Sequence, residues 1–534
     1  MKRNWSHGRR VRQSVQAFFF VLFVALLFAG LQHRDAGLEA HSWAGWFFRA
    51  NPLSALAVTL AGRRWLPGFA WALLVLGLTL LLGRVWCGWI CPTGTLLEWV
   101  SFRSARRRAK AISPRWRSIK YVLLALILIM ALLGNLSLLV FEPLALLTRT
   151  MTTAVIPGLN YAINAGAHAL YAVPFLQPAV DWFESSVRGS VLPVRQPAFR
   201  GALPIAALFF GVVALNLLAD RFWCRYLCPL GALLGWLSKV SLLRPLIGSA
   251  CTGCTRCALA CKPGAIKAAT SGGVQAEKSE TDAQNQPAAS ARSPFSIEIM
   301  PSECTVCLDC LASCSKDSLG VQPVLKPAPA QDFDLSRRQF LQAAAAGAAG
   351  LLLLRTDLRL RTKNARLIRP PGAQDEAAFL AQCVRCTQCM EVCPTTALQP
   401  ALVEAGLEGF WTPVMVPRAG YCDYGCNACG QVCPSGAIPL LDLAEKRQQV
   451  LGKASVDRNR CLPWASATTC VVCEEMCPTP EKAIRLQTVD AVNEWGEPIG
   501  LQQPYVIGDL CIGCGICENH CPLEGEAGIR VYAV

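Results

Sequence analysis

The feature that most constrains this chain is a set of cysteines spaced C-x2-C-x2-C-x3-C, because thiols so close in sequence call for a tight loop around a metal centre. Cys251, Cys254, Cys257 and Cys261 have this spacing, as do Cys304, Cys307, Cys310 and Cys314. It recurs in Cys383, Cys386, Cys389 and Cys393, and again in Cys511, Cys514, Cys517 and Cys521. Two looser blocks are Cys422, Cys426, Cys429 and Cys433, and Cys461, Cys470, Cys473 and Cys477. Three thiolates wrap one cubane while the fourth, often followed by Pro, reaches the neighbouring cluster, so blocks work in pairs. Six blocks imply six [4Fe–4S] clusters. Structural zinc would need only C-x2-C pairs, and disulfide scaffolds are usually short secreted chains, unlike these 534 residues. The 251 and 304 blocks are expected to exchange Cys261 and Cys314. Nested pairing is expected further on, the 383 block with the 511 block and the 422 block with the 461 block.

These blocks use 24 of the 28 cysteines. The other four form an internal repeat, Val85-Trp86-Cys87-Gly88-Trp89-Ile90-Cys91-Pro92 against Phe222-Trp223-Cys224-Arg225-Tyr226-Leu227-Cys228-Pro229. A separation of four residues places both thiols of a repeat on one helix face. Packing thiols are one reading of Cys87, Cys91, Cys224 and Cys228; an additional redox or metal site, four thiolates around one centre, is the other.

Hydrophobic residues make up 53% of the chain and charged residues 16%, which points to a membrane part. Apolar runs at 14–32, 67–86, 119–140 and 201–219 are each near the length of a membrane span. The net charge of +15 is clustered rather than spread. Lys2, Arg3, Arg9, Arg10 and Arg12 precede the first run, and Arg103, Arg106, Arg107, Arg108, Lys110, Arg115, Arg117 and Lys120 separate the second from the third. Such loops mark the cytoplasmic side, which leaves 33–66 and 141–200 outside. The charge therefore reads as membrane orientation and not as nucleic-acid binding, since no aromatic-interleaved basic motif accompanies it. A re-entrant or additional short helix is open near 151–180.

A third basic cluster, Ser336-Arg337-Arg338-Gln339-Phe340-Leu341, leads a short Ala-rich apolar run and reads as an internal twin-arginine signal. The basic residues that follow it, Arg355, Arg359, Arg361, Lys363, Arg366 and Arg369, oppose export under the positive-inside rule. Export is the favoured reading, because the twin-arginine route carries domains already folded around their metal, and a retained anchor is expected. Residues 268–294 have the composition of a flexible insert, and 321–335 that of an extended tether. No C-x2-C-H haem motif, Gly-rich dinucleotide fingerprint or P-loop occurs in the sequence. Electrons would therefore pass between external donors and acceptors.

The 1–320 half, with its four apolar runs, two C-x3-C-P motifs and two ferredoxin blocks, resembles the NapH/MauN-type membrane ferredoxins. The 336–534 half resembles the NapG/MauM-type ferredoxins on its twin-arginine signal, Arg369-Pro370-Pro371-Gly372-Ala373 and the four motifs that begin Cys383-Val384-Arg385-Cys386. Ser315 after Cys314 and Lys262 between Cys261 and Pro263 depart from the pattern. The resemblance implies a fused quinol dehydrogenase of the bacterial inner membrane that passes electrons from the quinol pool to a periplasmic reductase or its carrier subunit. The alternative is a polyferredoxin that supplies electrons for assembly or maturation of another metalloenzyme; a third reading, a cytoplasmic sensor or scaffold, follows if nothing is exported.

The expected fold is an α-helical membrane bundle of four helices with a fifth anchor, carrying α+β ferredoxin-like domains. The expected domains are a membrane domain at 1–248, a two-cluster ferredoxin at 249–320, a linker at 321–335, the signal at 336–355 and a four-cluster ferredoxin at 356–534. The two-cluster domain is expected in the cytoplasm and the four-cluster domain in the periplasm.

Overall fold

The computed structural model describes residues 5–36, 45–101, 114–188, 196–248, 250–269, 296–324, 337–355, 364–373, 375–492 and 498–534. The basic residues at 103–110, the insert from 270 to 294, the tether from 325 to 335 and the basic residues at 359–363 lie outside the described residues. The chain divides into two units, and every division falls inside a helix.

The first unit comprises Met1–Leu22, Ala72–Ala125 and Gly211–Leu341. Its two-cluster part is built from two antiparallel strand pairs. Leu243–Ile247 pairs with Leu319–Pro323, and Ile266–Ala269 with Ser296–Ile299. The short helices Arg256–Ala260 and Asp309–Ala312 complete the α+β ferredoxin pattern.

Both C-x3-C-P repeats belong to this unit and share one backbone. Each enters a π-helical turn, Trp86–Ile90 or Trp223–Leu227. The turn closes with Cys91 N–H on the Trp86 carbonyl at 2.9 Å or Cys228 N–H on the Trp223 carbonyl at 2.8 Å. The residue before a proline avoids the helical region, so Cys91 and Cys228 are extended, with ψ of 116° and 112°. Pro92 and Pro229 then start new helices, Pro92–Trp99 and Pro229–Leu237, where a missing N–H costs nothing. This corrects the expectation of one helix face for each thiol pair. The proline ends the helical path, and the second cysteine becomes the N-cap of the next helix.

The second unit comprises Phe23–Trp71, Leu126–Phe210 and Gln342–Val534. One apolar core, with Ile368, Phe379, Met390, Leu398, Met415, Ile438, Ile484, Ile529 and Val531, runs through all four of its cysteine blocks. Leu398–Pro400 pairs with Pro413–Met415, Lys453–Val456 with Ile529–Tyr532, and Ile484–Val492 with Pro498–Val506. In the stretch left open by sequence, helices Pro143–Thr150, Ile156–Tyr171 and Gln177–Trp182 form, the first two joined through a π turn at Met151–Val155.

Among the described residues one helix, Trp5–Leu31, is long and apolar enough to cross a membrane. The other expected spans are shorter, at Pro67–Leu82, Ser118–Leu132 and Ala202–Leu217. Glycines in the left-handed region stop two of them, Gly83 at φ 78° and Gly134 at φ 82°. At 1.5 Å per residue such helices reach about 24 Å, against about 30 Å of hydrocarbon. Among the described residues a bundle of four full-length membrane helices is thus not confirmed. The short helices nevertheless expose large apolar side chains, among them Leu73, Leu74, Leu80 and Leu81, Leu132 and Leu133, and Leu203 and Phe210. The signal segment is a 19-residue helix, Arg337–Arg355.

Candidate iron–sulfur centres

In the four tight blocks the backbone turns by the same device, a left-handed residue two places after the first cysteine and another just after the second. These are Gly253 and Thr255, Val306 and Leu308, Arg385 and Thr387, and Gly513 and Gly515, with φ between 50° and 82°. A non-glycine residue there costs roughly 1–2 kcal/mol, and such strain persists where the surroundings impose it. In the expanded blocks the matching Asn427 and Val471 have φ of −130° and −121°, so a longer loop replaces the strained turn.

In the first unit Cys251, Cys254 and Cys257 surround a hollow with Cys314. Cys304, Cys307 and Cys310 surround another with Cys261. This is the exchange expected from the spacing.

In the second unit the nested pairing is overturned. Cys422, Cys426 and Cys429 meet Cys393, and Cys433 lies beside Cys383, Cys386 and Cys389. Cys461, Cys470 and Cys473 meet Cys521, and Cys511, Cys514 and Cys517 meet Cys477. Consecutive blocks pair because strands tie them locally. Leu398–Pro400 and Pro413–Met415 join the 383 and 422 blocks, and Lys453–Val456 and Ile529–Tyr532 join the 461 and 511 blocks.

The donor chemistry fits an iron–sulfur cluster. The hollows are lined chiefly by thiols and apolar groups such as Pro263, Ile266 and Leu311. Burial pushes the thiols up, Cys304 and Cys422 to about 11 and Cys307 and Cys514 to about 12. Such thiols ionise when a metal takes the charge. Backbone N–H groups point at several sulfurs: Ala265 to Cys261 at 3.1 Å, Ile438 to Cys433 at 3.4 Å, and Gly528 to Cys521 at 3.3 Å. Bonds of this kind tune cluster potentials. Among the described residues no group of three or more His, Cys, Asp or Glu side chains is close enough to hold a single metal ion.

The remaining four cysteines also converge. Burial pushes the Cys228 thiol up, and Cys224, Cys87 and Cys91 lie near enough to add to the rise. Gly231 N–H points at Cys228 Sγ at 3.2 Å, as the backbone donors do in the ferredoxin hollows.

Around this quartet stands a charge network that the spacing did not reveal. Arg84 and Arg221, each three residues before the first cysteine of its repeat, are both 2% exposed. Arg221 lies 3.3 Å from Glu98, which also binds Arg12 at 2.9 Å and Lys262 at 2.7 Å. Arg84 lies 3.5 Å from Glu303, which Lys120 holds at 2.7 Å. Arg221, Arg12 and Lys262 keep the Glu98 carboxyl well below the usual carboxylate range. Extending the repeat alignment one residue upstream, to Arg84 and Arg221, would have found the pair.

Loops of the second unit pack onto its ferredoxin blocks. Arg385 Nη1 donates to the Leu136 carbonyl at 2.7 Å, Asn135 Nδ2 to Glu408 at 2.9 Å, and the Arg149 guanidinium lies 4.2 Å from the Trp411 ring centre. Glu142 caps Pro143–Thr150 by accepting from Ala145 N–H at 2.6 Å, and it accepts from Asn51 Nδ2 at 2.7 Å. Burial pushes its carboxyl up to about 7.

A family model described as a 4Fe-4S binding domain matches residues 65–110 and 202–249, the two C-x3-C-P repeats with their flanks. A twin-arginine translocation pathway signal sequence matches residues 334–353. The ferredoxin-type protein NapG of Escherichia coli is 37% identical over 201 residues, which are 36% of this chain and 83% of NapG. The methylamine utilization ferredoxin-type protein MauM of Methylorubrum extorquens is 38% identical over 205 residues, 37% of this chain and 88% of MauM. The ferredoxin-type protein NapF of Escherichia coli is 32% identical over 167 residues, 31% of this chain and 87% of NapF. No solved structure matches the chain.

Proposed function

We propose that this chain, which belongs to the NapG/MauM family of ferredoxin-type iron–sulfur electron-transfer proteins, is a membrane-bound quinol dehydrogenase component in which a NapH/MauN-type membrane part is fused to the exported ferredoxin. Quinol gives up two electrons and two protons and leaves as quinone; the protons pass to water and the electrons enter the clusters one at a time. The six thiol sets above would hold six [4Fe–4S] clusters, which would supply one-electron transfer toward a redox partner outside the cytoplasm. The carrying residues are the 24 ferredoxin cysteines, and no bond-making side chain is invoked.

The observation that carries this reading is the composition of the two units. The four-cluster part, led by the twin-arginine signal, belongs to one unit with the stretches between 45 and 66 and between 141 and 200, which the charge distribution of the sequence leads us to expect outside. The basic N-terminus and the two-cluster part share the other. The exposed leucines of the short helices supply an apolar surface of the kind that marks membrane or protein contact. A helix shorter than the hydrocarbon can be accommodated by local thinning of the bilayer.

A reporter fused after Val534 tests the placement. An export-dependent reporter should be active there and a cytoplasm-dependent one silent; the reverse would place the four-cluster part inside. Anaerobic reduction of the clusters by quinol tests the reaction.

A further inference from the structure

Lys262 departs from the ferredoxin pattern by standing between Cys261 and Pro263, and its surroundings give that departure a use. We infer that Lys262 and Arg12 are positioning residues whose charge raises the reduction potential of the centre that Cys261, Cys304, Cys307 and Cys310 surround, without moving that of its neighbour on Cys251, Cys254, Cys257 and Cys314. Their effect rests on cluster occupancy of the ferredoxin thiols, as proposed above, and holds whichever donor supplies the electron.

The first observation is a carboxylate set among the ligands. Asp309 lies between Cys307 and Cys310 and is 6% exposed, and among the described residues neither of its oxygens accepts a hydrogen bond. A negative charge at that place opposes the thiolates and any added electron. Cations alone offset it: Arg12 Nη2 lies 3.6 Å and Lys262 Nζ 4.0 Å away, and the half-exposed Arg9 adds a contact at 3.2 Å.

The second is that one further carboxylate holds both cations in place. Glu98, on the helix Pro92–Trp99 that follows the first C-x3-C-P repeat, accepts from Lys262 Nζ at 2.7 Å and from Arg12 Nη1 at 2.9 Å. Arg12 is fully buried, and Gln16, one turn further along the same helix, donates to Glu98 at 3.0 Å and to the Gly88 carbonyl at 2.9 Å. Lys262 follows directly on Cys261, whose sulfur the Ala265 N–H meets at 3.1 Å. Its ammonium is therefore anchored by a ligand on one side and by Glu98 on the other.

The third is the charge balance. Arg9, Arg12, Arg84, Lys120, Arg221 and Lys262 share Glu98, Glu303 and Asp309, and Glu303 adjoins Cys304. Six cations against three carboxylates leave positive charge in excess around this one hollow. Reduction there adds one electron and no proton, so negative charge grows by one; burial opposes that growth and the excess of cations favours it. Around the neighbouring hollow Cys254 is exposed, and Arg256, Lys316 and Asp317 face water, where salt screens them.

The test follows reduced-cluster EPR through a redox titration of the full-length protein, with Cys307→Ser marking which component belongs to this centre. Lys262→Gln should make that component about tenfold harder to reduce, a shift of about 59 mV to lower potential for one electron, with every other component in place. Lys262→Arg keeps the charge and should keep the wild-type midpoint, which a merely structural role would not predict. Should Lys262→Gln fail to accumulate, Arg12→Gln leaves Glu98 with Arg221 and Lys262 and should move the same component the same way. An unmoved midpoint, a shift to higher potential, equal shifts in several components, or the same shift in Lys262→Arg would overturn the inference while leaving the clusters themselves in place. Iron content and spectra unaltered by Cys307→Ser would instead remove the cluster from this hollow, and both readings with it.

Discussion

The ferredoxin hollows and the quartet of Cys87, Cys91, Cys224 and Cys228 bring thiols together by different means. In the hollows the backbone does the shaping: paired left-handed residues such as Thr255 with Gly253 curl the loop, and backbone N–H groups meet the sulfurs. In the quartet each repeat makes a π turn stopped by proline, and buried side chains from distant parts of the chain supply the polar surroundings. The lesson is that a thiol site can be encoded in local spacing or in long-range charge.

The sharpest way to break this comparison is to remove a ligand whose home is set by backbone pairing. Cys521→Ser should cost the cluster of Cys461, Cys470 and Cys473, about four irons, and leave that of Cys383, Cys386 and Cys389. Site-resolved spectroscopy showing the latter lost would restore the nested pairing.

Charge is the corresponding weak point of the quartet. Glu98→Gln leaves buried Arg12 and Arg221 and the partly buried Lys262 around a neutral amide. Breaking such a network costs about 3–5 kcal/mol. Thermal unfolding should show that loss in the first unit, whereas a change within about 0.5 kcal/mol would mean that the network is ornamental.

Two buried carboxyls extend the contrast to pH. Glu98, matched by cations, has its folded pKa depressed, so its contribution is present above the ordinary Glu value of about 4.3 and is lost only as pH falls through the lower folded value. Glu142 is held by an amide and a backbone N–H, and its folded pKa is raised to about 7. Its contribution is complete below about 4.3 and is lost as pH rises through about 7. The second unit should therefore melt a few degrees higher at pH 5 than at pH 8, and Glu142→Gln should reduce that difference, leaving the part due to Glu391, whose carboxyl burial raises to about 8. An unaltered pH slope in the variant would assign the dependence to another group.

The smallest effect separates the tight blocks from the expanded ones. Thr255→Gly relieves a left-handed residue, at φ 57°, and should stabilise by up to about 1 kcal/mol with iron unchanged. Asn427→Gly, at φ −130°, has no such strain to relieve and should destabilise by a few tenths. Equal responses would show that the strained turn is not what distinguishes the blocks.

Much of this was legible in the sequence where the information is local. The tight blocks announced their hollows, and the exchange of Cys261 and Cys314 followed from spacing alone. The pairing of Cys433 and Cys521 did not, because it depends on strand pairings between Lys453–Val456 and Ile529–Tyr532 and between Leu398–Pro400 and Pro413–Met415, which no spacing records. Helix ends were misjudged where Gly83 and Gly134 interrupt apolar runs that continue in sequence. Glu98, Glu303 and Lys120 were invisible as a group because their partners lie far away along the chain, as with Lys120 and Glu303.

The account stands most directly on whether quinol can load the clusters. In purified full-length protein under strict anaerobiosis, a physiological quinol should bleach the cluster absorption and bring up reduced-cluster EPR signals, with one quinone formed for every two electrons taken up. Clusters that dithionite reduces but that no physiological quinol reduces would contradict the account.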